Sequence, residues 1–325
     1  MTRAFITGIT GQTGSYLCEQ LLAEGWQVHG LVSSPDGLES ALTERAPSVA
    51  LHRGDLANPD ELRRIVVEVA PDVVFNLGGI SSVAQSWQQP HRTGEVTGLS
   101  VATLLAAVKT LGESGHETRF VQASSAEIFG AAPPPQNEST PVRPLNPYGA
   151  AKAYAHHLVG LYRQSGVPAS TAILFNHESP RRPEAFVTRK ITMGAARIAT
   201  GEADHLSLGN LDARRDWGWA PDYADAIRRI ALGEPDDFIV ATGVAHTVEE
   251  FVAAAFRAAG IEDWRPYIRV DERFLRATDP ASLVGDPSHI RDTLGWQPTV
   301  GFEELVARMV ESDLAALRGE FDPLA

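Results

Sequence analysis

The sequence predicts an α/β protein: a doubly wound parallel sheet with a smaller C-terminal lobe for substrate. Three observations predict it. The chain opens on a short apolar strand, Ala4-Phe5-Ile6-Thr7, followed by the turn Gly8-Ile9-Thr10-Gly11-Gln12-Thr13-Gly14 and an amphipathic helix. Apolar runs then alternate with helical patterns, the rhythm of βαβ units. One run, Val73-Val74-Phe75-Asn76-Leu77, is apolar nearly throughout, as strands covered on both faces are.

Each element follows in order. The first helix is read from about Ser15 to Glu24, stopped by Gly25. Glycines let a backbone approach a pyrophosphate, and a helix N-terminus favours its charge. Gly8, Thr10, Gly11, Gln12, Thr13 and Gly14 are therefore candidate dinucleotide-binding residues. The spacing is GxxGxxG rather than GxGxxG; a glycine trio alone also makes a structural turn, and its place after the first strand is what favours phosphate. Gln27 to Val32 is the second strand. In dinucleotide folds its end reads the adenosine ribose, with an acidic residue for NAD or arginine for NADP. Here it reads Ser33-Ser34-Pro35-Asp36, which leaves the choice open; Ser33 is the candidate contact. Val49 to Arg53 is the third strand, followed by Gly54-Asp55-Leu56. Asp55 contacts the adenine edge or caps the helix starting near Pro59, and both roles are compatible. Leu56 and, after the fourth strand, Leu77 and Gly78 complete the cofactor set.

Helices are expected at about Asp60–Val69, Val96–Leu111 and Tyr148–Gln164, and a strand at Arg119–Ala123. Ala131 to Pro147 holds six prolines and reads as a stiff loop over the strand ends. Ala169 to Leu174 is a strand ending in the polar string Phe175-Asn176-His177-Glu178-Ser179-Pro180-Arg181-Arg182. Periodicity then weakens. A helix is read at Thr188–Thr200 and a short strand at Leu206–Asn210. Phe238 to Thr242 is an apolar strand returned to the sheet, and Val248–Ala259 and Phe302–Leu317 are helices. Residues 1–174, with a returning segment at about 219–245, are expected to form the dinucleotide-binding domain, and 175–325 mainly the substrate lobe. Among Arg181, Arg182, Lys190, Arg214, Arg215 and Arg276, about half are expected to be surface salt bridges and the rest to face an anionic substrate.

At 325 residues the chain can bury a large core. A net charge of −13 argues against non-specific nucleic-acid binding, which needs a basic surface. The single cysteine, Cys18, excludes an internal disulfide and reads as a buried core thiol. No apolar run in the sequence is long enough to cross a membrane, and a strand starting by Ala4 leaves no room for a secretory signal. A cytoplasmic protein is expected, with no metal, membrane or nucleic-acid partner.

The chemistry concentrates between Arg119 and Lys152. Tyr148 and Lys152 stand four apart on one helix face. A phenol titrates near ~10, and a neighbouring ammonium is expected to bring it down toward working pH, making Tyr148 a general base for an alcohol. Ser125, at the end of a strand, holds the same oxygen, and Glu127 adds a second acid/base. A lone YxxxK pair arises often by chance, so it counts only with the rest of the chain.

The TGxTGxxG turn, a strand ending in Ser-Ser and YxxxK together resemble the extended short-chain dehydrogenase/reductase family, a Rossmann-like fold. Val121 to Gly130, Leu174 to Arg182, Phe186 to Ile191 and Leu208 to Gly218 narrow the resemblance to the GDP-mannose 4,6-dehydratase family. It implies a nucleotide-sugar lyase with bound NADP, or NAD since Ser33-Ser34 stand where the family has two arginines. The implied reaction oxidises sugar C4 as Tyr148 takes the hydroxyl proton. Glu127 then works on C5 and C6 as water leaves, and the hydride returns to C6. The resemblance assigns Asn176, Lys190 and Arg215 to the nucleotide diphosphate and Arg276 to a further phosphate contact. It puts Asp279 near the nucleotide ribose and Ser81 with the substrate. It also implies a homo-oligomer, dimer or tetramer, although the missing arginines belong to a loop that serves tetramer assembly. Ser125 replaces a threonine and keeps the hydroxyl; Ala126 replaces a serine beside Glu127. Another GDP-sugar, such as a GDP-heptose, remains open as substrate; a 4-epimerase or 4-reductase is the other alternative, against which Glu127 discriminates because neither requires it. A catalytically dead cofactor-binding protein is disfavoured because Tyr148 and Lys152 are both present.

Overall fold

Residues 1–33, 37–271 and 282–320 are described in the structure, a computed structural model. In chain order the first half runs β1 (Arg3–Thr7), α1 (Gln12–Ala23), β2 (Gln27–Val32), α2 (Gly37–Arg45), β3 (Ala50–Arg53), α3 (Pro59–Val69), β4 (Val73–Asn76), α4 (Val83–Gln88), α5 (Pro90–Thr93), α6 (Ser100–Glu113), β5 (Arg119–Ser125), α7 (Pro147–Gln164) and β6 (Ala169–Leu174). The second half runs β7 (Asn176–Glu178), α8 (Val187–Ala199), β8 (Leu206–Leu208), β9 (Arg214–Trp219), α9 (Ala220–Leu232), β10 (Asp237–Val240), β11 (Ala245–Thr247), α10 (Val248–Ala258), β12 (Ile268–Val270), β13 (Ser282–Leu283), α11 (Ser288–Leu294) and α12 (Phe302–Arg318).

Seven strands form one sheet in the order β3-β2-β1-β4-β5-β6-β10, and every neighbouring pair is parallel. The order reverses between β1 and β4, which makes that gap the switch point. Side chains alternate faces along each strand, and the burial follows. Ala4, Ile6, Val73 and Phe75 pack with Leu17 and Leu21 of α1 and Ile227 and Ile230 of α9. Phe5, Val74 and Phe120 pack on the other face with α3, α6 and α7. A third core in the C-terminal half gathers Trp217, Trp219, Phe251, Phe256 and Met309.

Several expectations need adjustment. Helix α1 starts at Gln12 rather than Ser15, because Gly11 is its N-cap. The helix expected from Val96 is part of a continuous run, Pro90–Glu113, with a π-helical stretch at Gly94–Leu99. That run is long and apolar enough to cross a membrane by length and composition, with mean hydropathy 1.2. It buries Val101, Leu104, Leu105 and Val108 against the sheet, which accounts for its apolar composition. Strand β10 stops at Val240, two residues short of Thr242, whose amide and hydroxyl go instead to Asp216. In the C-terminal half β9 pairs with β7, β11 and β13. The β7–β9 register sets Asn176 against Trp217 and Glu178 against Trp219.

Candidate active site

The carboxyl ends of β1, β4 and β5 open onto a cleft at the switch point, where open α/β sheets bind ligand. A cavity of about 480 Å³ there is lined by Gly8, Thr10, Gly11, Gln12, Thr13, Gly14, Leu77, Gly78, Ser81, Ser125, Glu127, Tyr148, Lys152 and Asn176. A second cavity of about 260 Å³ shares Gly8, Thr10 and Gly78 with it and adds Ser33, Asp55, Leu56 and Arg92. Most of the sequence-predicted residues thus fall into two adjoining compartments.

The turn after β1 fits a dinucleotide diphosphate. Gly8 holds φ +67°, and a Cβ there would lie 2.8 Å from Gly78 Cα. A Cβ at Gly14 would lie 2.2 Å from the Gly8 carbonyl oxygen. Gly11 offers no side-chain cap and the first turn of α1 carries no acidic residue, so the helix end presents backbone N–H groups and a positive dipole to the cavity.

Thr13 and Gln12 are tied to the second half of the chain. His177 Nδ1 lies 2.9 Å from the Phe175 carbonyl and therefore carries the proton; Nε2 then accepts from the Thr13 hydroxyl at 2.7 Å. Burial pushes His177 down to about 4, so it is neutral at neutral pH. Gln12 Nε2 donates to the His177 carbonyl, and the Ser179 hydroxyl donates to Gln12 Oε1.

The catalytic candidates sit on three elements. Ser125 ends β5, and its Oγ accepts from the Glu127 amide at 3.2 Å and hydrogen-bonds Tyr148. Glu127 lies on a single 3₁₀ turn, Ala126–Ile128. Asn146 caps α7, its Oδ1 accepting from the Gly149 amide at 2.8 Å, and Pro147 follows at the first helical position. The same side chain donates through Nδ2 to Glu127 Oε2 at 2.8 Å. Lys152 is buried and donates to the Ala123 carbonyl at 2.6 Å. That carbonyl also accepts from Gln122 Nε2, which begins a buried chain back through Asn76 to Thr7 on β1.

The expected fall in the Tyr148 phenol is reversed. Burial pushes it up to about 12, against hydrogen bonding from Ser125, which lowers it. The Lys152 ammonium lies 5.9 Å from the ring centroid and spends a proton on Ala123 rather than on the phenol. Burial also pushes Lys152 down to about 8. Both shifts have one cause: charge in a dry site is disfavoured.

Other candidates fall elsewhere. Lys190, on the first turn of α8, and Arg215, buried in β9, line neither cavity. Arg276 and Asp279, like Ser34, lie outside the described residues. Arg181 is a structural ion pair with Glu19, stacked on Tyr16. Arg182 lines the main cavity and pairs with buried Glu178. Asn146 and Arg92, each bonded to a carboxylate of the site, went unread in the sequence. Asn146-Pro147 is a capping pair with a readable signal; Arg92 gives none, since only the fold brings it to Asp55.

Comparison with known proteins agrees with this geometry. A family model described as GDP-mannose 4,6 dehydratase matches residues 5–309. The chain is 44% identical over 335 residues to GDP-mannose 4,6 dehydratase 2 of Arabidopsis thaliana, covering 98% of this chain and 88% of that one. It is 40% identical to the human GDP-mannose 4,6 dehydratase, covering 97% and 92%. Among solved structures it resembles the Thermus thermophilus UDP-glucose 4-epimerase complexed with NAD, at TM-score 0.82, 28% identity and coverage of 97% and 100%. It resembles equally RMD from Pseudomonas aeruginosa complexed with NADPH, at TM-score 0.80, 25% identity and the same coverage. With the matched family model spanning nearly the whole chain and relatives of 42–44% identity aligned over 97–98% of it, the chain belongs to the GDP-mannose 4,6 dehydratase family.

Proposed function

We propose that the protein removes water from a GDP-hexose, converting GDP-D-mannose to GDP-4-keto-6-deoxy-D-mannose. One observation carries the reading. A carboxylate, Glu127, lines the same cavity as Tyr148, Ser125 and the glycine turn. A simple 4-oxidation needs only the hydroxyl, the phenol and the lysine; elimination needs a further acid/base.

A nicotinamide dinucleotide, when bound, would supply the hydride acceptor for C4 and the hydride donor for C6. Gly8, Gly11, Gly14 and the α1 N-terminus would hold its diphosphate, and Ser33, Asp55 and Leu56 its adenosine half. The chain's own residues do the rest. Ser125 positions O4 by hydrogen bond. Tyr148 takes the O4 proton; because burial holds the phenol up to about 12, its basic form depends on positive charge gathering beside it, and Lys152 supplies one such charge. With a ketone at C4 the C5 proton becomes acidic. Glu127, steadied by Asn146, removes that proton and delivers it to the departing C6 hydroxyl, which leaves as water. When hydride returns to C6, C5 takes up a proton, which balances the one Tyr148 took from O4. On this assignment Asn176 and Ser81 meet the substrate from the cavity wall. Lys190, Arg215, Arg276 and Asp279 act at the nucleotide end.

Residues 1–174 with 219–245 form the cofactor-binding part and the remainder the nucleotide-sugar part, a division supported by β10 pairing with β6. We read the protein as a homo-oligomer. The support is three exposed apolar side chains, Leu99 at the end of the Gly94–Leu99 stretch and Tyr154 and Leu161 on α7, the helix that stretch packs against. A cytoplasmic location belongs to the same reading, supported by a lone buried Cys18.

GDP-mannose carrying deuterium at C4 tests the reaction. The reading expects the label on C6 of the product. Label lost to water, or retained at C4, would overturn it.

A further inference from the structure

The smaller cavity, which on the reading above takes the adenosine half of the dinucleotide, is lined by a single cation among the described residues, Arg92. Its NH2 donates to both oxygens of Asp55, at 2.9 and 2.8 Å, and its NH1 lies 3.7 Å from Glu95 Oε2. Arg53 repeats the pattern at the end of β3. Its NH2 donates to both oxygens of Glu39 on α2, at 3.0 and 2.9 Å. Arg53 is the register partner of Val32, so this second pair stands beside the end of β2, next to Ser33. The stretch Ser33-Ser34-Pro35-Asp36 contributes no cation of its own.

Two guanidiniums, Arg92 in the cavity wall and Arg53 beside the end of β2, therefore face three carboxylates. The pairs are half-exposed and add little to stability. Their weight falls on the charge of a ligand. A 2′-phosphate that reached either arginine would sit within a few ångströms of the carboxylate already holding it, and attraction would come with repulsion. A 2′-hydroxyl meets no such penalty, and the Ser33 hydroxyl suffices as its neighbour.

We propose that the Asp55–Arg92 and Glu39–Arg53 pairs determine cofactor specificity, closing the adenosine end to a 2′-phosphate so that the protein selects NAD over NADP. The inference rests on the dinucleotide reading of the cleft and goes beyond it by naming the residues that choose between the two forms. Asp55 is the centre of the device. Its carboxyl is held below its ordinary range by the Ala57 amide and by Arg92, so it keeps its charge across the working pH range.

Direct binding tests it, with no substrate present. Purified protein is titrated with NAD and with NADP by calorimetry, and the ratio of the two dissociation constants is compared with that of Asp55→Asn, Glu39→Gln and the double variant. We expect NAD to bind roughly tenfold or more tighter in the natural protein, and the double variant to move the ratio toward NADP by a similar factor. The ratio cancels any loss of adenine contact common to both ligands. Added salt should narrow the preference, since it screens the repulsion. NADP binding as tightly as NAD, or a ratio unmoved by the double variant, would overturn the proposal while leaving the cleft a dinucleotide site. Failure of both ligands to bind would overturn the proposal and the dinucleotide reading together.

Discussion

The Glu127 carboxylate accepts from the Asn146 amide at 2.8 Å, and the Glu127 backbone N–H donates to the Ser125 hydroxyl that also bonds Tyr148; the proposed mechanism gives carboxylate and phenol separate steps on one substrate. The two roles separate by mutation. Glu127→Gln should slow release of water by about 10²-fold or more while reduced nicotinamide still forms; water release at the natural rate would remove Glu127 from the elimination. Tyr148→Phe should abolish oxidation at C4, read as the absence of any reduced nicotinamide in a single turnover. Lys152, pushed down to about 8 by burial, loses its charge as pH rises through that value. Turnover should therefore fall on the alkaline side near pH 8, and a rate still rising there would show that the ammonium is not needed. Ser125, Glu127, Tyr148 and Lys152 were legible in the sequence because they lie within one strand end and one helical turn. The direction of the Tyr148 shift was not, since burial is set by the packing of β5, α7 and the cavity wall together.

The N-terminus of α7 does two jobs through one side chain. Asn146 caps the helix and holds Glu127. Asn146→Ala should cost about 1 kcal/mol of stability and lower turnover as well. Asn146→Asp keeps the cap but sets a second carboxylate against Glu127. At acid pH, where the two carboxyls share a proton, it should leave thermal unfolding nearly unchanged, and it should move the pH dependence of elimination; a drop in stability at acid pH equal to that of Asn146→Ala would contradict the division. Strands β1, β2, β4, β5 and β6 were readable as apolar-rich runs between turn signals, and β3, Ala50–Arg53, by its place in the βαβ rhythm before Gly54. Strand β7 has three residues, too few for a period, and β9 opens on two arginines. Neither carries a pattern of its own, and each is held by pairing with the other. Helix α9 does carry Tyr223, Ile227 and Ile230 at helical spacing, a signal set between two irregular stretches.

His177 links the halves of the molecule, joining β7 to the turn after β1 through Thr13. Its folded form is pushed down to about 4 from 6.5, so the unfolded chain binds the extra proton between those values. Stability is then full above about pH 6.5 and falls as pH drops toward 4, by roughly 2 kcal/mol from this residue between pH 7.5 and 5. Urea unfolding at the two pH values should show a smaller loss for His177→Gln, and equal losses would assign the slope to other groups. At this scale the doubly wound parallel sheet and a glycine turn placed for a dinucleotide followed from the sequence; the strand order, and with it the switch point, came from the structure. The pairing of Arg92 with Asp55, of Thr13 with His177 and of Glu127 with Asn146 did not, because each closes only when distant elements dock. The central claim is a dehydration that consumes no cofactor, and mass spectrometry of the sugar nucleotide after incubation with GDP-D-mannose tests it most directly. With catalytic NAD or NADP, the account predicts a product lighter by one water and no net reduction of the dinucleotide. An unchanged mass from protein that binds GDP, or reduced nicotinamide accumulating in step with product, would contradict it.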